Sequence, residues 1–216
     1  MKLKLRLMMA VLLLGGLLVG KLHHPSADQQ DQSVSRDELI LGGLHFQSCE
    51  IGKRLGRNTL TGYCTQFDVP EDRAHPDNRH IHLKVAVVKS DAANPEADLA
   101  VFIDGGPGGS AINDYPAVSD AFSALRKRHH VLLVDQRGTG SSNPLDCPVT
   151  QAFGKSLLDK LGGEQLDPSR IPELMKKCVD ELHDKADTRF YSTTDAIADL
   201  EDIRLALDAG SRDANG

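Results

Sequence analysis

The chain has 216 residues, a length that suits one domain better than two. Apolar residues make up 40%, ordinary for a globular chain, while aromatics are scarce at 4% and Trp is absent. The formal charge of −6 argues for solubility and against a nucleic-acid binder.

Lys2, Lys4 and Arg6 precede an apolar run over residues 7–19. A charged start followed by a run of this length reads as a signal peptide, and the run is short for a bilayer span. Residues 1–20 are therefore assigned to a signal peptide or an uncleaved anchor, with Gly20 and Ala27 as alternative cleavage points. No Cys follows the run closely, which argues against a lipoprotein. The chain is expected to be exported, periplasmic or extracellular, and to meet a membrane only through that anchor.

Export sets how the cysteines read. Cys49, Cys64, Cys147 and Cys178 are an even count, and an oxidising compartment favours two disulfides. The local pairings, Cys49–Cys64 and Cys147–Cys178, each close their own segment. Free buried thiols are the alternative. The absence of any C-x-x-C pair argues against zinc.

Residues 21–45 are polar, rich in His, Gln, Asp and Ser, and read as a linker closed by Gly42-Gly43. The domain is expected over residues 46–209. Residues 63–69 suit a strand ended by Pro70. In His80–Val88 the residues Ile81, Leu83, Val85 and Val87 share one face, the mark of a strand with one solvated side. His80 and His82 fall on the polar face. With no third ligand near them in sequence, they read as solvated histidines rather than a metal pair.

Residues 99–103, L-A-V-F-I, form a short apolar run that stops at D-G-G-P-G-G-S, residues 104–110. A helix follows over 115–128, with Val118, Phe122 and Leu125 at helical spacing and Arg126, Lys127 and Arg128 in its last turn. The next apolar run, residues 131–134, stops at D-Q-R-G-T-G-S-S, residues 135–142. Strand, helix and strand in this order place both loops at one carboxyl edge, where ligands of open α/β sheets bind.

Residues 147–189 read as a helical excursion, with helices over 151–161 and 171–186, pinned by Cys147–Cys178. Thr193 or Thr194 is expected to cap a strong helix whose core stripe is Ile197, Leu200, Ile203, Arg204 and Leu207. Gly210 is its stop signal, and residues 210–216 read as a tail outside the domain.

The glycine loop suits acyl transfer, which builds negative charge on a carbonyl oxygen. One preorganised backbone donor there is worth roughly 3–4 kcal/mol. Gly105, Gly106 and Gly108 are the candidate oxyanion donors, and Pro107 stiffens the loop without adding a donor. Asp104 stands at the edge of the same site. The plainer reading is a tight turn that lets the next helix pack. Asp135 and Arg137 read as a pair supporting the second loop, or as substrate contacts. Neither loop has G-x-x-x-x-G-K-[ST], which argues against phosphate binding.

The loop D-G-G-P-G-G-S resembles the HGGPG loop of the proline iminopeptidases and the related secreted tripeptidyl aminopeptidases, which are α/β-hydrolases. V-L-L-V-D-Q-R-G-T-G-S-S-N-P, from Val131, is similar to the same family's strand and DQRG loop. Residues 190–208, F-Y-S-T-T-D-A-I-A-D-L-E-D-I-R-L-A-L-D, look like the helix before its nucleophile strand. The resemblance covers residues 46–208 and departs at Asp104, where the family's loop usually has His. It implies the N-terminal part of an α/β-hydrolase fold: an antiparallel start, then parallel strands with crossover helices. It implies a Ser-His-Asp mechanism that releases residues from the amino termini of a peptide substrate, without metal or organic cofactor. It also implies a nucleophile strand beside residues 99–103, whose edge would otherwise be apolar and sticky.

The nucleophile itself should stand in G-x-S-x-G. Neither residues 108–112 nor residues 138–142 meet that pattern, and no triad Asp or His follows. The chain therefore names no catalytic residue and reads as an inactive fragment of an exported serine hydrolase. The alternatives are an esterase with the same loop, and an exported non-catalytic binding module stapled by two disulfides. A second chain that completes the site stays open.

Overall fold

The computed structural model of the chain describes residues 37–52, 59–105, 108–147, 169 and 171–213. Its strands are β1 (Glu38–Leu41), β2 (Leu44–Ile51), β3 (Leu60–Pro70), β4 (His80–Val88), β5 (Leu99–Phe102) and β6 (His130–Val134). Its helices are α1 (Ala111–Val118), α2 (Ser123–Arg126), α3 (Ile171–Leu182) and α4 (Thr193–Asp213). The helix expected over 151–161 lies outside the described residues.

The six strands form one mixed sheet, ordered β1-β2-β3-β4-β6-β5 and curled into a half-barrel. This corrects the expectation of an α/β-hydrolase part built on parallel strands and crossover helices. The neighbours β1·β2, β2·β3, β3·β4 and β4·β6 are antiparallel, and only β5·β6 is parallel. The reason lies in the connections. Strands β1 to β4 follow one another through short links, which return the chain antiparallel. The one crossover, between β5 and β6, is not a continuous helix. It runs through α1, a 3₁₀ turn at Ser119–Phe122 and the four-residue α2. Pro116 inside α1 removes a backbone donor there.

Two further boundaries differ. β1 lies within the stretch read as linker, because Leu39 and Leu41 pack on the core and Gly42-Gly43 turns the chain into β2. The turn is held on α4, where the Gly43 N–H donates to the Ala206 carbonyl at 2.9 Å. At the other end α4 runs past Gly210 to Asp213.

Side-chain alternation sorts the core to two faces. Phe46, Val69, Leu83, Val85, Leu132 and Val134 pack with Ile203 of α4. On the other face Ile51, Ala86, Val88, Val131 and Leu133 pack with Ile112 and Tyr115 of α1. The first half of β4 alternates as expected, but its last four residues are buried on both faces, because β6 lies beside them and α1 covers the far side. β6 is buried throughout, as a run covered on both faces must be.

Both disulfides form as spaced: Cys49–Cys64 between β2 and β3, and Cys147–Cys178 between the end of the second glycine loop's segment and α3. They close separations of 15 and 31 residues. Replacing Cys49 and Cys64 together with serine should cost about 3 kcal/mol by the chain-entropy model. Urea unfolding checks this, and a midpoint equal to that of the parent chain would contradict it.

His80 and His82 both reach Asp68, which the β3·β4 register sets opposite His82. Sequence distance hid this acid. The Pro76 carbonyl and then Asp68 favour the protonated His80 ring, raising it above its ordinary 6.5. A raised folded value means that this contribution is complete below the unfolded pKa and is lost as pH rises through the folded one. An NMR titration should place the His80 midpoint above 6.5; a midpoint at or below that value would refute the contact.

Candidate functional site

Because β5 and β6 are parallel, the loops that follow them leave the same end of the sheet. One residue locks them together. Asp135 is 1% exposed, at the start of the second loop. Its Oδ1 accepts from the Ser110 hydroxyl at 2.8 Å and from the Ile112 N–H at 3.1 Å. Its Oδ2 accepts from the Ser141 N–H at 3.0 Å. The carboxylate thus sits at the N-terminus of α1, where negative charge is favoured, and also ties down its own loop. Ser110 caps α1, its Oγ accepting from the Asn113 N–H at 3.1 Å.

Gly140 makes this lock sterically feasible. It has φ +52°, and a Cβ there would lie 2.1 Å from Asp135 Oδ2. Ser142 completes the second loop. Its hydroxyl donates to the Asp135 carbonyl at 2.6 Å and accepts from the Lys84 N–H at 2.7 Å, fixing the loop to β4.

Arg137 does not pair with Asp135. Its guanidinium forms a two-point pair with Asp199 of α4, Nε to Oδ2 at 2.7 Å and Nη2 to Oδ1 at 2.6 Å. It also donates to the carbonyls of Pro70, Glu71 and Phe190. Those bonds use all five guanidinium N–H groups, so none is left for a substrate. Asp199 also takes Arg73 at 2.6 Å. Arg137 and Asp199 are each nearly inaccessible, their side chains 1% and 3% exposed. Arg137 is therefore a clamp that holds the second loop on β3 and α4.

The sequence reading missed Asp199, Glu71 and Tyr191. The buried stripe of α4 is Ala196, Asp199 and Ile203, and Ile197 is 61% exposed. An acid at that helical spacing was a usable sign of a buried basic partner. Tyr191 donates its hydroxyl to Glu71 Oε1 at 3.0 Å and accepts from Asn143. Burial pushes this phenol up to about 12. The cap of α4 is Ser192 rather than Thr193 or Thr194. Its Oγ accepts from the Asp195 N–H, and the Asp195 carboxylate accepts in return from the Ser192 N–H.

The first loop faces a polar cavity of about 280 Å³, shared with Gln136, Thr139 and the start of α4. Gln136 bridges the loops by donating to the Asp104 carbonyl at 3.1 Å. Asp104 Oδ1 accepts from the Gly105 N–H at 2.9 Å, so that candidate donor is already engaged. Gly108 lies in the cavity wall at φ +97°, with open space where a Cβ would be. Gly109 has no such room: a Cβ would come within 2.4 Å of the Gly105 carbonyl oxygen. Among the described residues, no hydrogen bond engages the N–H of Gly108 or Gly109. Gly106 and Pro107 lie outside the described residues.

Of the hydroxyls that line the cavity, those of Thr139, Tyr191 and Ser192 have other work, and Thr193 lines it as well. Ser110, Ser142 and Ser192 are bound as above, and Thr139 donates to the Gln136 carbonyl at 2.9 Å. Among the described residues, no histidine lines the cavity. His130 lies in β6, accepts from the Ser90 N–H and is held below its ordinary value by burial. Among the described residues, no group of three or more His, Cys, Asp or Glu is placed to hold a metal ion. The cavity can offer backbone N–H groups to a negative oxygen. Asp104 and Thr193 also line it, and no Ser-His pair stands there among the described residues. No family model and no curated protein matches the chain, so these residues are read on their own chemistry.

Proposed function

We propose that this chain carries the oxyanion-loop side of an exported serine hydrolase. Its parent activity is that of an aminopeptidase of the proline iminopeptidase type, acting on peptide amino termini. The observation that carries the reading is the Asp135 lock, which holds two glycine loops around one polar cavity where, among the described residues, nothing engages the N–H groups of Gly108 and Gly109. Preorganised amides of this kind stabilise charge that develops on a carbonyl oxygen. The reading rests on the loops and their chemistry; the mostly antiparallel sheet lends it nothing. The nucleophile, acid and base would come from residues outside these 216, in a longer chain or a second one. Ester cleavage would use the same amides.

A second reading has its own support. Two disulfides and serines fully occupied by structural bonds suit an exported, non-catalytic binding module. A serine-directed fluorophosphonate tests both readings against self-sufficient catalysis. The chain alone should stay unlabelled, and a stretch of chain bearing G-x-S-x-G, added to it, should restore labelling. Labelling of any serine within the 216 residues would overturn the first reading, and failure of the extended chain to label would favour the second.

A further inference from the structure

Asp104 is followed by Gly105, and D-G occurs nowhere else in the chain. The pair stands just past β5, in the wall of the polar cavity. The Asp104 carboxylate is turned back on its own main chain, with Oδ1 2.9 Å from the Gly105 nitrogen. The carboxyl carbon, Cγ, is one bond from that oxygen. Nitrogen and Cγ are therefore near neighbours, and joining them closes a five-membered ring.

The surroundings favour that closure. Gly105 is exposed, and a Cβ built on it would meet nothing within 4 Å. Nothing crowds its nitrogen, and glycine gives the backbone the freedom to turn toward Cγ. On the other side the carboxylate is backed by Gly109, where a Cβ would fall 2.5 Å from Asp104 Oδ2. The carboxylate thus lies between two glycines. Asp135 is the contrast in the second loop. Its two oxygens are tied by three donors, and Gln136 rather than glycine follows it.

We infer that Asp104-Gly105 is a site of spontaneous main-chain modification, where Asp104 passes through a cyclic succinimide to isoaspartate. The Gly105 nitrogen attacks Cγ of the protonated carboxyl group. An N–Cγ bond forms, the nitrogen gives up its proton, and the carboxyl hydroxyl leaves with a proton as water. A second water then opens the ring. Breaking the N–Cγ bond restores aspartate, and breaking the original peptide C–N bond leaves isoaspartate. One water leaves and one enters, so the net change is an isomerisation. It routes the main chain through Cγ, one carbon longer. It also turns the Asp104 carbonyl that Gln136 holds into a free carboxylate. The bridge between the two glycine loops is rebuilt as the protein ages.

The test keeps the full chain in H₂¹⁸O at mildly acidic pH and body temperature, beside the free tryptic peptide of residues 90–126. Ring opening puts one heavy oxygen on residue 104. Mass spectrometry after trypsin locates it, and electron-transfer fragmentation separates isoaspartate from aspartate. Uptake at Asp104 in the folded chain should equal or exceed that in the peptide. Gly105→Ala, whose added carbon has room, should slow it about tenfold by crowding the nitrogen. Asp104→Asn closes the same ring with loss of ammonia, and in the folded chain it should convert to aspartate and isoaspartate. Folded-chain uptake below about a tenth of the peptide's would overturn the proposal, because the loop would then hold nitrogen and Cγ out of reach. An Asp104→Asn chain that keeps its amide while the peptide loses it would overturn it too. So would uptake that Gly105→Ala leaves unchanged, since the oxygen would then enter without the ring.

Discussion

Asp135→Asn should destabilise the chain by about 4 kcal/mol, because hydrogen bonds to a charged group are worth roughly 1.5–3 kcal/mol each and this carboxylate accepts three. Asparagine keeps the volume and loses the chemistry. Whichever way the amide turns, its NH₂ faces a donor. It meets either the Ser110 hydroxyl and Ile112 N–H, or the Ser141 N–H. With Asp135 only 1% exposed, water cannot repair the mismatch. Urea unfolding should show a lower midpoint at an unchanged slope, the sign of altered stability rather than altered compactness. Amide exchange at Ile112 and Ser141 should accelerate together, since both loops lose one anchor. A loss below about 1 kcal/mol, the worth of a single ordinary hydrogen bond, would mean that Asp135 does not join the loops.

The second large effect belongs to Arg137. Breaking a buried ion pair by removing one partner typically costs about 3–5 kcal/mol. Arg137→Met should reach that range, because it strands Asp199 beside Arg73 alone and leaves the carbonyls of Pro70, Glu71 and Phe190 without their donor. Adding Asp199→Leu should recover part of the loss, since the carboxylate left with Arg73 as its remaining partner is then gone. Recovery stays incomplete, as the three carbonyls remain unpaired and Arg73 loses a partner. Denaturant unfolding of both single variants and the double variant gives the coupling directly. Strictly additive losses would show that the two side chains act independently, against the geometry seen here.

Much of the local structure was legible in the chain, and the reasons are physical. β4 begins at His80 and ends at Val88 as read, because its first half faces solvent on one side and so alternates. β6 was legible as an unbroken apolar run, because both its faces are covered. The local cysteine pairings were legible from their spacing, given the expected export. What failed was the fold class. Parallel and antiparallel neighbours ask for the same apolar strands, and only the connections and partners distinguish them. β1 escaped notice because four residues within a polar stretch carry too little pattern. In the site, the two loops were legible from their glycines, but the partners of Arg137 lie 62 to 67 residues away in sequence, except Phe190 at 53. Leu200, Ile203 and Leu207 of the α4 stripe pack on the core as read, but Ile197 and Arg204 are exposed and an acid, Asp199, faces inward.

On the proposed function, the first glycine loop offers amides to a negative oxygen. Its most direct test is an NMR titration of the ¹⁵N-labelled chain with a peptidyl phosphonate, a stable tetrahedral anion with a free amino terminus. Saturable downfield shifts are expected at the Gly108 and Gly109 amides, lost in Asp135→Asn. The Gly105 amide should move less, because Asp104 already holds it. Unmoved Gly108 and Gly109 amides, or shifts that survive Asp135→Asn, would contradict the claim.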